Sequence, residues 1–258
     1  MPKFVRFVHD ETPTYGVVDG TEIAVITPHP FTDYRPTGER VHLTGVRLLA
    51  PVIPSKVVCV GTNYATHAKE MQMELPTMPL IFLKPSSTII GPNDAIALPT
   101  DLSDEVDHEA ELAVIIGALM HRVDEVTAMA GVFGYTAAND VSARDFQRSE
   151  SQWFRGKCFD TFLPLGPAIV TDLDYANTPI RLSVNGELRQ NGNTNDLIFN
   201  LPRIVSEISQ VVTLLPGDVI LTGTPSGVGR LNPGDTVRVE IDGIGVLENP
   251  VIDRNAAQ

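Results

Sequence analysis

The segment VDHEAELAVIIG, residues 106–117, constrains this chain more than any other, because acidic side chains at every second position run without a break into an apolar stretch. Read as a strand, its period of two sets Asp107, Glu109 and Glu111 on one face and His108, Ala110, Leu112 and Val114 on the other. Carboxylates held side by side next to a buried strand repel one another and raise one another's pKa unless a cation neutralises them. An all-oxygen donor set suits a hard divalent ion, Mg²⁺, Mn²⁺ or Ca²⁺. The same alternation also describes the solvated face of an edge strand, and the residue types alone leave both readings open.

Composition narrows the partners. With 258 residues, 43% of them hydrophobic, the chain can bury a substantial core. Its 32 acidic residues against 19 basic ones give a net charge of −13, which repels nucleic-acid phosphates and anionic lipid surfaces alike. The opening MPKFVRFVHDETP lacks a signal-peptide pattern and no apolar run is long enough to span a bilayer, so the expected compartment is the cytosol. Cys59 and Cys158 read as free thiols, and neither lies in a spacing that would hold zinc.

Residues 1–50 read as a small N-terminal β domain of short strands broken by turns, and residues 51–258 as the main, catalytic domain. Its apolar strands, VVCVG, PLIFLKP, AELAVIIG and DVILTG, are separated by Gly, Pro, Asn and Asp loops. Helices are expected within VDEVTAMAGVFGYTAAND, after Asn139, and over LPRIVSEISQVVTLL, where Ile204, Ile208 and Val211 keep helical spacing. Two Pro-Gly-Asp turns, at 216–218 and 233–235, each lead into an alternating strand. The fold class is therefore a mixed, β-rich α+β structure without the βαβ alternation of a Rossmann or TIM fold.

Other segments carry chemistry-bearing residues. In NDVSARDFQ, a helix or turn opening at Asn139 would align Asp140, Arg144 and Gln147, a third acidic ligand beside a guanidinium and an amide suited to a carboxylate substrate. An ordinary surface Asp–Arg pair has the same spacing. In NYATHAKEM, Glu70 stands three residues after His67, close enough to orient the imidazole as a general base, though exposed helices often carry such pairs without function. Lys157, in GKCFDTFLPLGP, is placed either to meet an anion or to snorkel. The loop TGTPSGVG offers backbone N–H groups to an anion or is a tight turn, and it lacks the Lys-Ser/Thr ending of a Walker A loop.

Taken in order, VVCVGTNYATHAKE, PLIFLKPSSTIIGPND, VDHEAELAVIIG, GYTAANDVSARDFQ, GKCFDTFLPLGP, VNGELRQNGNTNDLIFN and LLPGDVILTGTPSGVG resemble the fumarylacetoacetate hydrolase family over nearly all of residues 51–251. The resemblance implies that family's β-roll, a small N-terminal β domain and a homodimer. It implies metal ligation by Glu109, Glu111 and Asp140, with Mg²⁺ or Mn²⁺ as the expected ion and Ca²⁺ as a further candidate. Lys157, Arg144, Gln147 and Thr224 fall on the family's substrate-contacting positions, and His67 with Glu70 match the dyad carried on a lid by its short members, here the segment 66–77.

The chemistry so implied is cleavage, decarboxylation or tautomerisation of a small 2-oxo or β-diketo acid, an acylpyruvate or oxaloacetate, through an enolate. A second reading is an isomerase or decarboxylase of 2-hydroxyhepta-2,4-diene-1,7-dioate in aromatic catabolism. That longer dianion needs a further cationic contact, for which Arg148 and Arg155 are the candidates. A third is a metal-binding module of the same fold without turnover.

Overall fold

The computed structural model describes residues 2–70 and 72–257. Alternation of apolar and polar residues yields β structure almost throughout. The strands form one 12-stranded sheet, a five-stranded sheet and a three-stranded sheet. The centre of the large sheet is the strand Ala110–Ile116, buried along its whole length. It runs antiparallel to Val132–Asn139 on one side and to Val219–Leu221 on the other. Leu112, Val114 and Ile116 enter the main core and Ala113 and Ile115 a second apolar cluster on the opposite face. Burying such side chains contributes about 1.5–3 kcal/mol each, which anchors the strand that carries Glu111.

The N-terminal strands Lys3–His9, Thr12–Asp19, Glu22–Thr27 and Arg35–His42 form a meander. Rather than standing apart, it continues the large sheet, Lys3 pairing with Val170 and Phe4 with Ile169. At the other end, Leu80–Lys84 is the last strand, paired only with Val57–Gly61 among the described residues. The five-stranded sheet, Glu187–Asn193, Pro179–Val184, Thr236–Ile241, Gly245–Asp253 and Ile96–Leu98, closes over the main core. The chain is strand-rich with few helices, as its patterning predicts, and no described helix is long and apolar enough to cross a membrane.

Three expectations need correction. The helix expected across 123–140 is confined to Glu125–Ala128, where the Asp124 side chain accepts from the N–H of Thr127, and a following 3₁₀ turn. From Val132 to Asn139 the chain is instead a strand, because neighbours on both sides supply its hydrogen bonds and override local propensity. Asp140 lies outside any helix, which begins only at Arg144 and runs to Ser149, so Asp140, Arg144 and Gln147 do not share one helical stripe. The helix Leu201–Val211 forms, capped by Asn200, with Ile204 and Ile208 buried; Val211, its last residue, is 85% exposed. Cys59 and Cys158 are both free.

Candidate active site

At Glu109 the chain leaves the small sheet holding Val106–His108 and enters the large one at Ala110. The alternation survives the transfer. Asp107 and Glu109 both meet Arg144, at 2.8 Å (Nε to Oδ2) and 2.5 Å (Nη2 to Oε1), while His108 turns the other way onto Gln190. Asp140 follows the last residue of the neighbouring strand, and its N–H donates to the carbonyl of Glu109. One carboxylate oxygen from each of Glu109, Glu111 and Asp140 lies within 4.8 Å of the others, and all three residues are buried.

The charges around this cluster are unevenly shared. Lys157 bridges two of the acids, its Nζ 2.6 Å from Glu109 Oε2 and 2.8 Å from Asp140 Oδ2. Lys84 donates to the other Asp140 oxygen at 2.6 Å. Glu111 receives only the N–H of Gly223, at 2.7 Å, among the described residues. Burial alone would raise the Glu109 carboxyl, yet Lys157 and Arg144 hold it well below the usual carboxylate range. For Glu111, burial and then the charges of Asp140 and Glu109 push the pKa well above the ordinary value. Burial would lower Lys157, but Asp140 and Glu109 keep its ammonium charged to a higher pH than a free lysine. A buried oxygen cluster with one under-solvated member fits a hard divalent cation.

These acids floor a cavity of about 190 Å³. Of the residues expected at the site, Glu109, Glu111, Asp140, Arg144, Gln147, Lys157, His67 and Thr224 all line it. Glu70 stands behind His67: its Oε2 faces His67 Nδ1 at 3.2 Å and its Oε1 accepts from the N–H of Gly227 at 2.9 Å. With Nδ1–H donating to Glu70, Nε2 keeps its lone pair as the basic atom of the ring. The helix Ala65–Glu70 that carries this pair holds His67 at 6% exposure. The segment 66–77 expected to act as a lid includes Met71, which lies outside the described residues.

Two expected substrate contacts are already engaged within the protein. Three of Arg144's five N–H groups go to Asp107, Glu109 and Gln147, so it spans the acids and fixes the amide. Because Gln147 accepts through Oε1, its NH₂ is left to donate. The Thr224 hydroxyl donates to the carbonyl of Ala110 and accepts from Gln190 Nε2, which ties the TGTP loop to the acid-bearing strand. That loop needs its glycines. Gly223 has φ +98°, and at Gly227, with φ +96°, a Cβ would stand 2.1 Å from the carbonyl oxygen of Arg189.

Sequence reasoning passed over Lys84, Gln190 and Trp153. Lys84 and Phe82 share one face of the strand Leu80–Lys84, and the two-residue period that places them was available in PLIFLKP. Gln190, fully buried, also accepts from the N–H of Ala110 at 3.0 Å, a contact spanning 80 residues that no local pattern signals.

The family described as "Fumarylacetoacetate (FAA) hydrolase C-terminal" matches residues 56–252, and "Rv2993c-like, N-terminal" matches residues 3–51. A mitochondrial oxaloacetate tautomerase of Xenopus laevis is 48% identical over 222 residues, 81% of this chain and 69% of that protein. The crystal structure of a 2-hydroxyhepta-2,4-diene-1,7-dioate isomerase from Mycobacterium marinum is 44% identical with a TM-score of 0.92, covering 98% of this chain and 99% of that one. A maleylpyruvate hydrolase of Sphingobium sp. SYK-6, solved in complex with manganese(II) and pyruvate, is 34% identical with a TM-score of 0.82, covering 97% and 99%.

Proposed function

The chain belongs to the fumarylacetoacetate hydrolase family, and on that premise we propose that it is an enzyme moving a proton α to the keto group of a small 2-oxo acid, a keto–enol tautomerase of oxaloacetate type. The observation that carries this reading is His67, buried at the wall of the cavity that holds the acid cluster and backed by the more open Glu70.

Glu109, Glu111 and Asp140 would hold a divalent cation, Mg²⁺ or Mn²⁺, whose chemistry is to polarise the keto group as a Lewis acid. The manganese in the Sphingobium relative supports that reading. His67 Nε2 takes the proton from the carbon next to the keto group and returns it to the other end of the enol system. Glu70, fixed by the N–H of Gly227, keeps the ring oriented. Lys157 and the Gln147 amide donate to substrate oxygens as negative charge gathers there.

Isomerisation of a 2-hydroxydienedioate is a second reading, favoured by the end-to-end likeness to the Mycobacterium marinum isomerase. It uses the same proton shift over a longer conjugated chain. The test follows keto–enol equilibration of oxaloacetate by ultraviolet absorbance, and pyruvate release separately, with Mn²⁺ and with chelator. Cation-dependent equilibration without pyruvate release is expected, and His67→Gln should slow it by about 10²–10⁴-fold. Equal rates for His67→Gln and the parent under saturating Mn²⁺ would remove His67 from the mechanism.

A further inference from the structure

Of the lysine and arginine side chains that line the cavity, all but one are paired with the acid cluster. Lys157 is held by Glu109 and Asp140, and Arg144 by Asp107, Glu109 and Gln147. The exception is Arg148, which lines the cavity and meets Glu105 through Nη2 in an open pair, the two side chains 60% and 47% exposed. Such a pair contributes at most about 1 kcal/mol, so another carboxylate can take the place of Glu105 at little cost. Arg155 is paired with Glu150 and does not line the cavity.

Helical spacing puts Arg148 on the same face as Arg144 and Gln147, one turn beyond Arg144 and about 6 Å further along the axis. The rest of the lining includes the apolar side chains of Val60, Met73, Phe82 and Trp153. Trp153 packs edge-on to Phe82, with ring centroids 5.2 Å apart, and presses on Gly61, where a Cβ would stand 2.8 Å from the indole. That lining leaves Arg148 as the charge able to receive the far end of an anionic substrate.

We propose that Arg148 is the specificity-determining residue of this site, exchanging Glu105 for the distal carboxylate of a short dicarboxylic 2-oxo acid. The assignment rests on the function proposed above. Its consequence is discrimination between two substrates with the same 2-oxo acid head: oxaloacetate, which ends in a carboxylate, and acetylpyruvate, which ends in a methyl ketone.

The test measures kcat and KM for both substrates in the parent, Arg148→Gln, Arg148→Lys and Glu105→Gln, with saturating Mn²⁺. Loss of a charge-assisted hydrogen bond should raise KM for oxaloacetate about ten- to hundredfold in Arg148→Gln with kcat little changed. Arg148→Lys should recover part of that loss, Glu105→Gln should lower KM for oxaloacetate, and acetylpyruvate should not discriminate among the four proteins. An equal shift for both substrates, or none for either, overturns the proposal. Trp153, the only tryptophan of the chain, gives a second readout by fluorescence titration with both compounds. If the parent turns over neither, the proposed reaction fails, but a preference for binding oxaloacetate that disappears in Arg148→Gln still upholds the role of Arg148. Absence of that preference in the parent refutes it.

Discussion

Replacing Glu111 by glutamine should stabilise the cation-free protein, and by an amount that grows with pH. The raised pKa of Glu111 in the fold means that its contribution to stability is fully present below the unfolded value near 4.5 and is lost as pH rises toward the folded value. Each pH unit in that window costs about 1.4 kcal/mol, so the loss from pH 4.5 to pH 7 is at most about 3.4 kcal/mol. Coulomb's law gives the same order independently: one like charge at 4.8 Å, with an effective dielectric constant near 20, costs about 3.5 kcal/mol. Glutamine keeps an oxygen for the N–H of Gly223 and carries no charge to lose. In chelator, the melting temperatures of Glu111→Gln and the parent should coincide near pH 4.5 and diverge by up to roughly 7–14 °C at pH 7, the variant higher. Mn²⁺ should then raise the parent and leave the variant unmoved. A variant that parallels the parent across this pH range, or gains as much from Mn²⁺, would refute the reasoning.

Two further perturbations probe the surroundings of that cluster. Lys157→Met leaves Glu109 and Asp140 without their shared ammonium and should cost about 3–5 kcal/mol by urea denaturation in chelator, with part recovered by saturating Mn²⁺; an unchanged stability in chelator would count against the bridge. The end strand Leu80–Lys84 leaves Leu80, Ile81 and Leu83 exposed beside an open sheet edge, a surface suited to a second copy of the chain. Light scattering after size exclusion should therefore find a dimer in the parent and a monomer in Leu83→Glu, and a monomeric parent would dispose of this interface.

What the sequence made legible depends on how far each signal reaches. The two-residue period of 106–117 could be read because alternation is local; it even survives a change of sheet at Glu109, the backbone staying extended across the junction. Val132–Asn139 defeated the same method, since its small and apolar residues satisfy a helical period as well and only strands on both sides decide between them. Asp140 could be placed among the acids by resemblance, but its setting just past a strand end, rather than on a helix, follows from pairing at Asn139. Lys84 was passed over because a lysine closing an apolar strand looks like a solvent-facing end. Its burial is explained by Asp140 and the carbonyl of Val141, 56 and 57 residues away.

The arrangement of charge also explains why the site is built from so many ions. Asp107, Glu109, Glu111 and Asp140 face Lys84, Lys157 and Arg144, leaving the buried group one negative charge in excess. With fewer lysines the acids could not remain ionised in the core; with one more, the cluster would be satisfied and a cation would gain little by entering. Glu111, the member with a single donor, is the least compensated: burial and its like-charged neighbours favour its protonated form, and a cation at this oxygen pair would favour the ionised one. A divalent cation would reverse the sign of the group and make the cavity floor net positive. On the proposed function, the head of a 2-oxo acid would then be drawn to the floor and a distal carboxylate to Arg148, beside the apolar Phe82 and Trp153 that also line the cavity. The instability expected on ionising Glu111 and the proposed attraction of an anionic substrate would be two consequences of the same poorly compensated carboxylate.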